Sequence, residues 1–163
     1  MRYGTISLIR VQIQISPSAS RKVNTKSENL LIPDSMLDSN LCIRVLRDRP
    51  RHIRERFIGG VETLAISSVV LYELYFGAMR SNDPARQRRN VEEFASRLTV
   101  LDFGQAASLH AAQIKSDLMS KGQVIGPNDL LIAGHARSLG LKLITGNLKE
   151  FIRVDGLRCE DWL

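Results

Sequence analysis

Between Gly126 and Phe151 the chain is punctuated so closely that few local arrangements are open to it. Gly126-Pro127 ends whatever precedes it, and Asn128 is a good N-cap. Leu130, Leu131, Ile132, Ala133, Ala136 and Leu139 then recur at helical spacing. Gly140 supplies the residue that closes this helix, and Leu141-Lys-Leu-Ile-Thr145 is a short β-rich run that stops at Gly146-Asn147. Helix, tight turn and strand follow one another with no room for a hairpin. Asp129 falls in the first helical turn, where unpaired backbone N–H groups and the macrodipole favour an ionised carboxylate.

The same alternation runs through the rest of the chain from Met36. Ser35-Met-Leu-Asp38 reads as a strand, followed by a helix capped by Asn40 that must stop before Pro50. Leu64-Ala-Ile-Ser67 is a second strand, with Ser68 as the cap of a helix from Val69 to Arg80. Residues 85–98 are a further helix and Thr99–Phe103 a third strand. Residues 104–120 form an amphipathic helix with Ala107, Ala111, Ile114 and Leu118 inward. After the Asp129 helix and its strand come a short helix from Leu148 and a last strand at Leu157–Cys159. Strands alternating with helices imply right-handed βαβ units, hence an α/β fold with a central, mostly parallel sheet. Ligands bind such sheets just beyond the carboxyl ends of the strands.

Residues 1–35 differ: they hold no acidic residue before Glu28 and carry the cluster Ser16-Pro-Ser-Ala-Ser20. Val11–Ile15 alternates like an edge strand, but the polar run after it reads as linker. This segment is expected to be an extension, either flexible or the product of a start codon assigned too far upstream, with the patterned domain at 36–163. No run approaches the ~18 apolar residues of a membrane span. The early apolar stretch is broken by Arg10, Gln12 and Gln14, which spoils it as a signal peptide and leaves a cytoplasmic protein. Cys42 and Cys159 have no metal-ligand spacing and read as reduced thiols. The net charge of +6 suits a polyanionic partner. Arg44, Arg47, Arg49, Arg51, Arg54 and Arg56 crowd one segment, as a phosphate-binding face or as a solvated helical surface.

The topology brings acids together. Asp38 ends the first strand, on the edge that also receives Asp129, although a helix cap would explain it as well. Glu73 sits among apolar and aromatic residues in Val69–Phe76, where a lone carboxylate costs several kcal/mol unless compensated. Either a core arginine pairs with it or it turns toward the acidic edge. Asn147 and Glu150 have the spacing of a capping box, yet they also follow the strand after Asp129. Asp102 fits a turn or cap and is left outside the group. Carboxylates within ~4 Å repel by roughly 4 kcal/mol per pair at an effective dielectric of 20, so the cluster needs protons or a cation. All-oxygen ligands select Mg²⁺, with Mn²⁺ as the alternative, and a hard ion in an acidic cleft of a basic protein points to phosphodiester hydrolysis.

Met36-Leu-Asp-Ser-Asn40, Ile66–Gly77, Asn128–His135 and Leu143–Phe151 together resemble the PIN-domain ribonucleases of the VapC toxin type, over 36–163 and in the right order. The resemblance implies a PIN-like three-layer α/β/α fold and a Mg²⁺-dependent endoribonuclease that cuts tRNA or rRNA. It also implies a homodimer and a VapB-like antitoxin, with operator DNA met only through that antitoxin. Asp38, Glu73 and Asp129 match the family's acidic triad, with Asn147 where many relatives have aspartate and Glu150 as its possible substitute. Arg44, Arg47, Arg51 and Arg54 are the candidate RNA contacts. Two rivals stand beside this reading: a phosphoryl-accepting receiver domain using Asp102, and a PIN protein that binds RNA without cutting it.

Overall fold

The computed structural model describes residues 32–47 and 51–163. The Val11–Ile15 strand, nearly all of the 1–35 extension and Arg49 lie outside the described residues. The remainder forms five parallel strands: β1 (Ser35–Leu37), β2 (Leu64–Ser67), β3 (Thr99–Leu101), β4 (Lys142–Thr145) and β5 (Cys159–Asp161), in the order β3-β2-β1-β4-β5. Seven helices connect them: α1 (Ser39–Leu46), α2 (Arg51–Gly60), α3 (Ser68–Met79), α4 (Pro84–Ala95), α5 (Gln105–Ser120), α6 (Pro127–Ser138) and α7 (Leu148–Phe151).

Leaving β1, the chain builds the sheet outward in one direction through β2 and β3, then returns to add β4 and β5 on the other side. Right-handed crossovers therefore lay α1 to α4 over one face and α5 to α7 over the other, giving three layers. The reversal makes a crevice between the ends of β1 and β4, where doubly wound sheets bind ligands. β1 pairs in parallel with both β2 and β4, Met36 opposite Ala65 on one side and Leu143 on the other. Met36, Leu37, Ile66, Leu143 and Ile144 are all essentially inaccessible, as strands buried on both faces must be. Phe57 of α2 stacks on Phe94 of α4 at 5.3 Å and closes the outer side of the first helical layer.

Three expected caps are displaced by one or two residues. Asp38 rather than Asn40 caps α1, Ser67 rather than Ser68 caps α3, and α6 starts from Gly126 with no side-chain cap. The last strand is β5 at Cys159–Asp161, two residues beyond the expected Leu157–Cys159. The helix α2 had no counterpart in the sequence reading, yet Ile53 and Phe57, four residues apart, are its buried face. Between α5 and α6 the backbones approach so closely that a Cβ at Gly134 would meet the Ala111 amide at 2.6 Å. Glycine at that position is what lets α6, and Asp129 with it, sit where it does.

Candidate active site

The crevice is built from β1 outward. The Asp38 amide donates to the Ile144 carbonyl at 3.0 Å, which fixes the first residue after β1 against β4. Its side chain then does two things. Oδ1 accepts the Leu41 amide at 2.7 Å, and Oδ2 accepts a short hydrogen bond from the buried Thr145 hydroxyl. Thr145 in turn accepts the Asn147 amide at 2.8 Å, so Asp38 and the turn after β4 are one hydrogen-bonded unit. Asp38 is 1% exposed, and burial pushes its carboxyl above the usual range; the Thr145 hydroxyl and the Leu41 and Gly146 amides pull it down, and the charge of Glu73 adds to the rise.

Glu73 projects from the second turn of α3. Its partner is Asn128 of α6, whose amide Nδ2 donates to Oε1 at 2.8 Å. The other oxygen, Oε2, is buried and accepts no hydrogen bond. The core arginine that the sequence left open as a partner is replaced by an amide, which explains why Asn128 does not cap α6: its side chain is already committed to a charged acceptor. Asp129 follows on the same turn. Burial, then the charges of Asp38, Glu73 and Glu150, raise its carboxyl from 3.8 to about 6. Gly126 keeps that side chain's space open, since a Cβ there would stand 3.0 Å from Asp129 Oδ2.

Four acids from four separated segments thus act on one another across this edge. They do not meet at ligand distance: among the described residues, no three of His, Cys, Asp and Glu are gathered tightly enough to enclose an ion. Asn147 occupies the N-cap position of α7 but makes no side-chain cap hydrogen bond, so the capping-box reading of Asn147 and Glu150 does not hold. Glu150 faces Arg153 at 3.8 Å, a long pairing that leaves its charge felt at Asp129.

The donor set fits a hard divalent cation. All its candidate ligands are oxygens, one buried oxygen has no partner, and Asp129 is held near the boundary between protonated and ionised. Mg²⁺ keeps several waters and commonly takes only one or two carboxylates directly, so acids spaced more widely than a closed cage suit it. Asp102 stands apart from this group, and its charge acts instead on the buried His135. His135 bonds Ser67 through Nδ1 at 2.9 Å, with Phe103 edge-on to its ring.

Among the described residues, Arg44, Arg47, Arg54 and Arg56 do not form one surface. Arg44 reaches the turn after β4, its Nε 3.7 Å from where a Cβ at Gly146 would lie, and with Arg47 it lines a small pocket shared with Asn40 and Ile43. Arg54 lines a different cleft, together with Phe57, Asn90, Glu93 and Phe94. Arg56 is held by Glu160 at 2.6 Å and lies 4.5 Å over the Trp162 ring. Thr145 and Asn128 are the site residues that sequence reasoning missed. In the sequence Thr145 carries only the signal of a strand end, and Asn128 only that of a helix cap.

Comparison with known proteins follows the same geometry. The PIN domain family matches residues 35–157. The tRNA(fMet)-specific endonuclease VapC of Salmonella typhimurium is 49% identical over 127 residues, covering 78% of this chain and 96% of that protein. Ribonuclease VapC2 of Haemophilus influenzae is 44% identical over 128 residues, with 78% and 97% covered. Among solved structures, the DNA-bound VapBC of Salmonella typhimurium superposes with a TM-score of 0.78 at 47% identity, covering 81% of this chain and all of that one. The VapBC2 of Rickettsia felis bound to a promoter DNA fragment gives 0.75 at 34%, with 79% and 98% covered.

Proposed function

This chain belongs to the PIN-domain family, in its VapC branch, and we propose that it is a Mg²⁺- or Mn²⁺-dependent endoribonuclease acting as the toxin of a toxin–antitoxin pair. The observation that carries the reading is the state of Asp129. Its carboxyl is raised to about 6 by burial and by three other acids drawn from β1, α3 and α7. Such mutual repulsion at a partly buried edge is unfavourable, and a divalent cation would relieve it.

In this reading Asp38 and Asp129 hold the cation, Glu73 offers its unpaired oxygen, and Asn147 or Glu150 supplies the fourth polar position. When bound, the cation supplies Lewis acidity, activating a water for in-line attack and offsetting charge on the scissile phosphate. The chain's own work is positional. Thr145 and the Leu41 amide lock the Asp38 carboxylate, while α6 delivers Asp129 from the opposite layer. Arg44 and Arg47 stand beside the crevice, where they meet RNA phosphates; Arg54 lines a separate cleft, and Arg51 and Arg54 remain the weaker RNA-contact candidates. Because Asp129 takes up a proton near pH 6, cation binding competes with protons and cleavage falls as pH drops through that value.

The domain is taken as residues 36–163, with 1–35 an extension. The relatives' DNA-bound VapBC assemblies support a VapB-like protein as inhibitor and partner; contact with operator DNA through that antitoxin and a homodimeric toxin belong to the proposal. No helix among the described residues is long and apolar enough to cross a membrane; a cytoplasmic location is part of the proposal. The receiver-domain reading is disfavoured because Asp102, its acceptor, does not join the acids.

The deciding assay incubates the purified chain with total tRNA and separately with rRNA, with Mg²⁺, with Mn²⁺ and with chelator. Discrete fragments that need the cation are expected. RNA left intact in all arms would overturn the proposal, and binding without cutting would establish the non-catalytic alternative.

A further inference from the structure

We infer that Asn128 is a positioning residue that fixes which oxygen of Glu73 is left for the catalytic crevice. The inference rests on the metal-dependent reading of the site. It begins from an imbalance within one carboxylate: Oε1 takes the Asn128 amide at 2.8 Å, whereas Oε2 is buried and accepts no hydrogen bond. A carboxylate between apolar neighbours would ordinarily draw donors to both oxygens. Here a single donor, from across the sheet edge, holds one and leaves the other free.

The donor's place in the chain matters. Asn128 and Asp129 are consecutive on the first turn of α6, so the residue that grips Glu73 and the residue that faces the acids are tied by one peptide. The separation of Glu73 from Asp129 is therefore set by the Asn128 bond rather than by the loops joining α3 to α6, which are 55 residues apart at this contact. An amide N–H can only donate to a carboxylate oxygen, so the Asn128 bond fixes which face of the Glu73 carboxylate is turned to α6. Without that bond, Glu73 is free to rotate either oxygen toward the neighbouring polar groups, and the crevice loses a preset ligand.

The test uses the full chain with Asn128→Ala and Asn128→Ser, neither of which reaches Glu73 with a donor, alone and combined with Glu73→Gln. Three readouts are taken: the Mn²⁺ dissociation constant by electron paramagnetic resonance, kcat and KM on tRNA, and Tm. Weakening of Mn²⁺ binding by about 10- to 100-fold is expected, with a comparable loss in kcat and little change in KM. In the Glu73→Gln background the same substitutions should add no further loss, because Asn128 acts only through that carboxylate. Unchanged Mn²⁺ affinity in Asn128→Ala overturns the inference, and so does an equal loss with Glu73 already replaced. If both Asn128 variants fail to fold, the bond is a structural tie and the inference is also wrong. A wild-type chain that neither binds Mn²⁺ nor cleaves RNA would overturn the proposed function itself and the inference with it.

Discussion

Replacing Asp129 by Asn should make the cation-free protein more stable while removing its nuclease activity. The carboxyl is raised from 3.8 to about 6, first by burial and then by Asp38, Glu73 and Glu150. At 1.36 kcal/mol per pH unit this corresponds to roughly 3 kcal/mol of unfavourable interaction in the ionised form. Asp129 is only partly buried, so solvent screening reduces the figure to about 1–2 kcal/mol. The sign follows from which state holds the proton more tightly. Below pH 3.8 both folded and unfolded chains are protonated and the penalty is absent; it grows as pH rises toward 6 and is complete above that. Asn mimics the neutral acid at every pH. Urea denaturation in chelator should therefore show Asp129→Asn gaining about 1–2 kcal/mol over wild type at pH 8, or a few degrees in Tm, and nothing at pH 3.5. Adding Mn²⁺ at pH 8 should stabilise the wild type far more than the variant. A variant less stable than wild type at pH 8 would mean that the carboxylate is a satisfied structural group, and the electrostatic argument for a cation would fail.

Thr145→Val keeps the side-chain shape but strips Asp38 Oδ2 and the Asn147 amide of their shared partner; a loss of about 1–3 kcal/mol in denaturation is expected, and an unchanged midpoint would show the hydroxyl to be incidental. Arg44→Ala should weaken single-stranded RNA binding and lower the slope of log K against log salt by about 0.7, the value of one phosphate contact, whereas an identical slope would return this arginine to the solvated surface.

Much of the fold was legible because its signals are local. Gly140 closing one helix, Gly146 closing the strand after it and the apolar pairs Met36-Leu37 of β1 and Leu143-Ile144 of β4 each need only a few neighbouring residues to be read. From these the parallel order and the acidic edge follow by topology. What escaped was long-range. The Thr145 to Asp38 bond joins residues 107 apart and the Asn128 to Glu73 bond joins residues 55 apart, and no local pattern marks either. The misplaced caps have the same origin. A short-range reading gives Asn128 and Ser68 to the nearest orphan amides, because those are the only partners it can see. Once the chain folds, distant groups compete for the same side chains: Asn128 turns to a carboxylate, a charge-assisted bond roughly twice as strong as a neutral one, and Ser68 accepts the Phe103 amide beyond β3. Asp38 is the converse case. Cap and site ligand were weighed as alternatives, but a carboxylate has two oxygens, and the structure uses one for α1 and turns the other to β4. A residue that starts a helix at the end of a central strand is held rigidly by that helix, so capping is no argument against the ligand role proposed for Asp38; it would hold such a ligand in place.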